Sequence, residues 1–556
     1  MKKFAITYLI LASLSCKESR VEQKMTLWEP YNDSTEVAAN QDHKVERMRY
    51  KLIQSKVLDK NEVFQPLYDE VSKLSETEYE LLKPLILEQD IPTIQSQITS
   101  GNLTYEKLVL FYLYRIYKYE LDNTTTLNTI IALNENVVEE ARKSDEFRKQ
   151  YPSHEYHPIY GMPLLLKDNI NTKGMKTTAG AIALKDNVVD DSFIAEQLRI
   201  HGALVLGKVN LSEWAYFLCS GCPVGYSAIG GQTLNPYGRR VFETGGSSSG
   251  SATAVAANYA IAAIGTETSG SILSPSSQNS IVGLKPTIGL LSRTGIVPIS
   301  STLDTPGPMT KNVVDNAILL SALTGKDHAD SESVALDMDY LRGVEKFASL
   351  EGKRLGAMTH LLESDSIYKH AVNLFKDLGV EVIEFTPPEI SLDGFISVLN
   401  MDMKNDLPKY ISTHVKNKDA VTITSIADVV RFNEMDSLVR IPYGQQLFKG
   451  ILADDTSKDD LEIIKDSLRV KGRRFFTTAM DEHRLDAVLS INNYHAGYAA
   501  VAKYPALTVP MGYKDTGEPI NLTFIAKPFQ EDKLLPLGRA FEKLTQARKM
   551  PVNYKD

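Results

Sequence analysis

The spacing of apolar and polar residues along the 556-residue chain changes period several times, and each change marks an expected element. Residues 17–85 are polar and charge-rich, with a helical stretch over 71–82. From 91 to 142 the period is helical. The run Leu108-Val109-Leu110-Phe111-Tyr112-Leu113-Tyr114 lies inside it, and Asn123-Thr124-Thr125-Thr126 punctuates it. Residues 145–157 read as a charged loop. Then short apolar runs alternate with helical ones: a buried strand at 162–166, a helix at 193–199 closing near Gly202, and a second strand at 203–207. This alternation predicts an α/β fold with a mixed or parallel sheet covered by helices.

Residues 221–250 are rich in Gly, Ser, Asn and Pro and read as a long loop. A loop of that length inside a compact domain is usually functional. A helix of small residues follows at 251–260, then a strand at 261–265 and a helix at 313–323. Residues 327–480 are mostly helical, with a strand at 380–385. Late strands at 487–491 and 507–510 return to the sheet, and a helix over 534–545 closes the chain.

Composition narrows the classes. With 43% hydrophobic and 24% charged residues the chain buries a substantial core. The net charge of −9 and the lack of a long basic run argue against nucleic acid as a partner. Three cysteines, Cys16, Cys219 and Cys222, make no disulfide framework. Cys219 and Cys222 form a C-x-x-C, but a structural zinc site needs four ligands and no second pair exists. A local disulfide or two free thiols remain.

The N-terminus differs in kind. Lys2 and Lys3 precede a short apolar stretch ending Leu14-Ser15-Cys16. It is too short to span a bilayer as a helix and has the layout of a secretory signal. Its end resembles a bacterial lipobox, in which the cysteine becomes the lipidated first residue. Residues 1–16 are therefore expected to be a lipoprotein-type signal, with Cys16 the only membrane attachment. The protein is expected in the bacterial cell envelope, with 17–85 a polar tether and helical extension and 86–550 a single domain.

Three segments carry candidate chemistry. Gly245-Gly246-Ser247-Ser248-Ser249-Gly250-Ser251 runs straight into the small-residue helix, so Ser247 is expected near a helix N-terminus, where free N–H groups favour negative charge. Ser271 follows 24 residues later in Gly265-Thr266-Glu267-Thr268-Ser269-Gly270-Ser271-Ile272. Consecutive backbone N–H groups at Thr268, Ser269, Gly270 and Ser271 have the composition of an oxyanion hole. Upstream, Lys167 follows Leu164-Leu165-Leu166. Burial disfavours an ammonium, so such a lysine can give up its proton and serve as base to a hydroxyl.

These segments, with 161–169, 282–287, 291–298, 304–309 and 504–512, follow one another in the order of the amidase signature family. The resemblance covers roughly residues 90 to 550. It implies an α/β fold with a mixed central β-sheet covered by helices on both faces, and a Ser-Ser-Lys triad. Carried over by motif, Ser271 is the nucleophile, Ser247 the bridging serine and Lys167 the base, with the hole at 268–271. No metal or cofactor is expected. The chain looks most like the peptide amidase branch, in 230–237 and 304–308 and in Glu267 and Leu273; Ser269 departs from the usual glycine or aspartate. The expected substrate is a small-molecule or peptide amide, with 327–480 shaping its pocket.

Two other readings are weighed. Gly246-Ser247-Ser248-Ser249-Gly250 fits the G-x-S-x-G elbow of an α/β-hydrolase esterase, with Ser248 as nucleophile and His495 an available histidine. That elbow needs a strand directly before it, and 235–244 make a poor one. A surface-tethered amide or peptide binder that has lost catalysis is the other, since fold alone does not fix function.

Overall fold

The computed structural model describes residues 27–344, 350–377 and 379–556. The signal-like segment with Cys16 lies outside the described residues. The strands are β1 (Ile130–Leu133), β2 (Pro163–Lys167), β3 (Leu204–Val209), β4 (Tyr226–Ser227), β5 (Gly231–Gln232), β6 (Ala262–Glu267), β7 (Val282–Lys285), β8 (Thr305–Thr310), β9 (Arg354–Met358), β10 (Glu381–Phe385), β11 (Ala487–Ile491), β12 (Ala506–Tyr513) and β13 (Pro519–Ile525). Apart from the small β4–β5 hairpin they form one sheet, in the order β1-β3-β2-β6-β8-β7-β12-β13-β11-β9-β10. Parallel pairs flank β2, while β8 joins β6 antiparallel, so the sheet is mixed and helices flank it. The strands are apolar-rich rather than alternating because both faces are covered: every residue of β2, β3, β6, β11 and β13 is buried.

Several boundaries differ from the sequence expectation. The helical region at 91–142 holds helices Ile91–Thr99 and Tyr105–Glu120, then β1. Helix Val137–Gln150 runs into the expected loop. Four apolar residues beside a long helix carry no strand signature of their own; β1 is fixed by pairing with β3. The expected helix at 71–82 is divided, because the Ser75 hydroxyl accepts from Glu78 N at 3.2 Å and starts helix Glu76–Ile86 afresh. Strands β9 and β13 were not expected, and β8 carries Pro306 and Pro308 within the sheet interior. Pro cannot donate to a ladder. Pairing of β8 with β7 begins only at Met309, past both prolines.

Residues 27–85 pack on the main core through Met48, Tyr50, Ile53, Phe64, Leu67 and Val71. The Ile53 carbonyl accepts from Gln232 N at 2.8 Å, which clamps this extension to β5. A second core joins Trp214, Phe217 and Leu218 to the helices after residue 394, including Val398, Met403 and Phe448. Cys219 and Cys222 form a disulfide in the loop between, with Cα atoms 5.8 Å apart.

Candidate active site

Lys167 is the last residue of β2, between β3 and β6. Ligand sites in open α/β sheets lie at such carboxyl ends of strands. The side chain is fully buried. Its Nζ lies 2.8 Å from Ser247 Oγ, 2.9 Å from Thr266 Oγ1 and 3.1 Å from Thr266 O, all neutral oxygens. Asn169 Nδ2 donates to the same threonine hydroxyl at 2.9 Å. The adjacent carboxylate, Asp168, is turned away and pairs with buried Lys208 at 3.0 Å. Burial pushes the Lys167 pKa down to about 7, opposed by the negative charges of Asp304 and Glu267.

Ser247 sits in the loop that enters helix Ser249–Ala256 and is fully buried. Its carbonyl accepts from Ser212 N at 3.0 Å. Gly250 lets that helix approach the chain closely: a Cβ there would lie 2.5 Å from the Asn210 carbonyl oxygen. Ser248 stitches the loop to its neighbours. Its N–H donates to Ser271 O at 3.2 Å, its hydroxyl donates to Thr266 O at 3.0 Å and it accepts from Thr266 N at 3.2 Å. The elbow reading therefore fails. Ser248 Oγ is taken up by the β6 backbone, and no strand lies between β5 and residue 248. His495 is bound through Nδ1 to Ser490 Oγ at 2.6 Å and packs on Phe475.

Past β6 the chain makes a tight turn. Glu267 fixes it, its Oε2 accepting from Ile272 N at 2.7 Å and Leu273 N at 3.0 Å. Gly270 adopts φ +88°, a conformation that favours glycine, and faces the Asn493 carboxamide. Among the described residues no hydrogen bond occupies the N–H groups of Thr268, Ser269, Gly270 or Ser271. The Ser271 hydroxyl is likewise without a protein partner among them, at 8% exposure. Four free donors beside a free hydroxyl can receive an oxygen that gains negative charge during attack. Among the described residues no cluster of His, Cys, Asp and Glu could hold a metal ion.

The structure thus joins Lys167 to Ser247 directly. It brings Ser271 to the same loop through the Ser248 N–H, with no hydrogen bond between the Ser247 and Ser271 hydroxyls among the described residues. Sequence reasoning missed Thr266, Asn169 and Ser212, which hold the lysine and the loop, and Asp304, which accepts from Thr268 Oγ1 at 2.5 Å. Thr266, Asn169 and Asp304 all lie inside the motif blocks, so a reading of each block residue by residue had the signal; Ser212 had none.

A family model described as Amidase matches residues 107–490. The chain is 34% identical to a probable amidase of Arabidopsis thaliana, over 84% of this chain and 92% of that protein. Among solved structures it is similar to an amidase family protein from Bacillus anthracis, at 36% identity and a TM-score of 0.84, covering 90% of this chain and 100% of that one. It is also similar to native peptide amidase from Stenotrophomonas maltophilia, at 36% identity and a TM-score of 0.78, covering 84% and 98%.

Proposed function

The chain belongs to the amidase family and is an amide-hydrolysing enzyme; from that premise we propose a Ser-Ser-Lys mechanism acting on linear amides. Neutral Lys167 takes the proton of Ser247, and Ser247 takes that of Ser271. Ser271 Oγ attacks the amide carbon, and the carbonyl oxygen, now anionic, settles against the N–H groups of 268–271. The proton returns through Ser247 to the leaving nitrogen, the C–N bond breaks, and ammonia or an amine departs. Water then attacks the acyl-enzyme by the same relay and releases the acid.

The observation that carries this reading is the 2.8 Å contact between a buried lysine amine and Ser247 Oγ. A neutral amine has two N–H bonds and one lone pair. The two Thr266 oxygens accept the former, and the lone pair is left for the Ser247 hydroxyl. Similarity to the peptide amidase supports C-terminally amidated peptides as substrates, with amino-acid and aryl amides as smaller alternatives. We also propose that the protein is exported and lipid-anchored at Cys16; Cys16→Ser should move it from the membrane to the soluble fraction.

Ammonia release from a panel of such amides tests the reaction. Activity should rise from acid through pH about 7 as Lys167 becomes neutral. Lys167→Ala should abolish most of it, and a fluorophosphonate should label Ser271. Activity that stays flat down to pH 4, or a label on another residue, contradicts the mechanism.

A further inference from the structure

Asp304 is buried at the point where β8 begins. The antiparallel register pairs Glu267 with Thr305, so the next residues outward, Thr268 and Asp304, face each other across the end of the ladder. One carboxylate oxygen of Asp304 accepts from Thr268 Oγ1 at 2.5 Å. The other accepts from Ile299 N at 2.8 Å and Ser300 N at 2.9 Å. Thr268 is the first of the four residues whose N–H groups are free, and Gly270 beside it has the conformational freedom that lets a turn wander. Glu267 pins the far end of that turn at Ile272 and Leu273; Asp304 holds the near end to a second segment, 299–300.

We propose that Asp304 is a positioning residue: its carboxylate ties the Thr268 end of the oxyanion turn, through the Thr268 hydroxyl, to the backbone of 299–300. This rests on the Ser-Ser-Lys reading above.

Removing either partner of the Thr268–Asp304 hydrogen bond should loosen the turn.

The rate of fluorophosphonate labelling at Ser271 reads the turn without a known amide, because the phosphoryl oxygen enters the same N–H groups. Thr268→Val should slow labelling roughly tenfold at every pH. Thr268→Ser, which keeps the hydroxyl, should recover most of that loss. Asp304→Ala should slow labelling by a similar factor, and the double variant Asp304→Ala with Thr268→Val should be little slower than either single one, because both remove the same link. Labelling of Thr268→Val at the wild-type rate overturns the tether, and so do losses that multiply in the double variant. A wild-type protein that is never labelled at Ser271 overturns the mechanism itself, which separates the two failures.

Discussion

Replacing Lys167 by methionine gives a test that needs no substrate. Lys167 is fully buried, and burial lowers its pKa from 10.5 to about 7. In the unfolded chain the amine keeps its proton to about pH 10.4. Between those two values the unfolded state binds more protons than the folded state, so stability rises with pH. The native ammonium is thus a cost, complete below about pH 7 and vanishing above about pH 10. The full displacement corresponds to about 5 kcal/mol. Linkage places roughly half of it, about 2.5 kcal/mol, between pH 6 and pH 9. Methionine keeps an unbranched apolar stem and does not titrate. The other buried lysines, Lys60, Lys208, Lys285 and Lys311, are present in both proteins and cancel in the difference. With an unfolding entropy of about 2.1 cal/mol/K per residue, a chain of this size shifts Tm by about 1 °C per kcal/mol. The Tm of Lys167→Met minus that of the wild type should therefore shrink by about 2–3 °C from pH 6 to pH 9. Differential scanning calorimetry at matched scan rates measures it. A difference that stays constant or widens with pH would refute the depressed lysine.

Two further substitutions separate holding from reacting. Ser248→Ala leaves the Thr266 backbone without its side-chain partners and should cost about 1–3 kcal/mol of stability, yet fluorophosphonate should still label Ser271; loss of labelling in a folded protein would reinstate Ser248 as a reacting group. Glu267→Ala frees the Ile272 and Leu273 N–H groups and should lower both Tm and turnover, whereas Glu267→Gln keeps an acceptor oxygen and should retain most of the stability. Equal Tm values for these two variants would show that the carboxylate does not fix the turn.

The parts of the fold that were legible in sequence are those that a single local pattern decides. Leu164 to Leu166 is a continuous apolar run and Ala487 to Ile491 is broken only by Ser490, and both are strands buried on each face. Strand β13 reads Pro-Ile-Asn-Leu-Thr-Phe-Ile, in which Asn521 and Thr523 interrupt the apolar run. These two side chains are buried because partners exist elsewhere in the chain: Asn521 donates to Ile281 O, and Thr523 to Asn492 O. No window around β13 contains those partners. Strand β8 is more opaque still, since two prolines argue against any interior strand until the absent β7 pairing beside them is seen.

The same division runs through the site. Lys167, Ser247 and Ser271 stand out because each lies in an unusual local context. Thr266 looks like any threonine in a strand, yet its two oxygens hold the lysine. That contact set bears on the chemistry. Three neutral acceptors around a buried ammonium leave its charge without a counter-ion in contact, and a buried charge so placed costs several kcal/mol. Losing the proton removes that cost. A salt bridge in the same position would instead lock the ammonium and disable the base. Asp168 is the nearest residue in sequence that could form one, and Lys208 takes it away at 3.0 Å. The Asp168–Lys208 pair is then part of what keeps Lys167 neutral and able to accept a proton. Its partner lies on β3, 40 positions beyond Asp168, where no motif around Lys167 reaches.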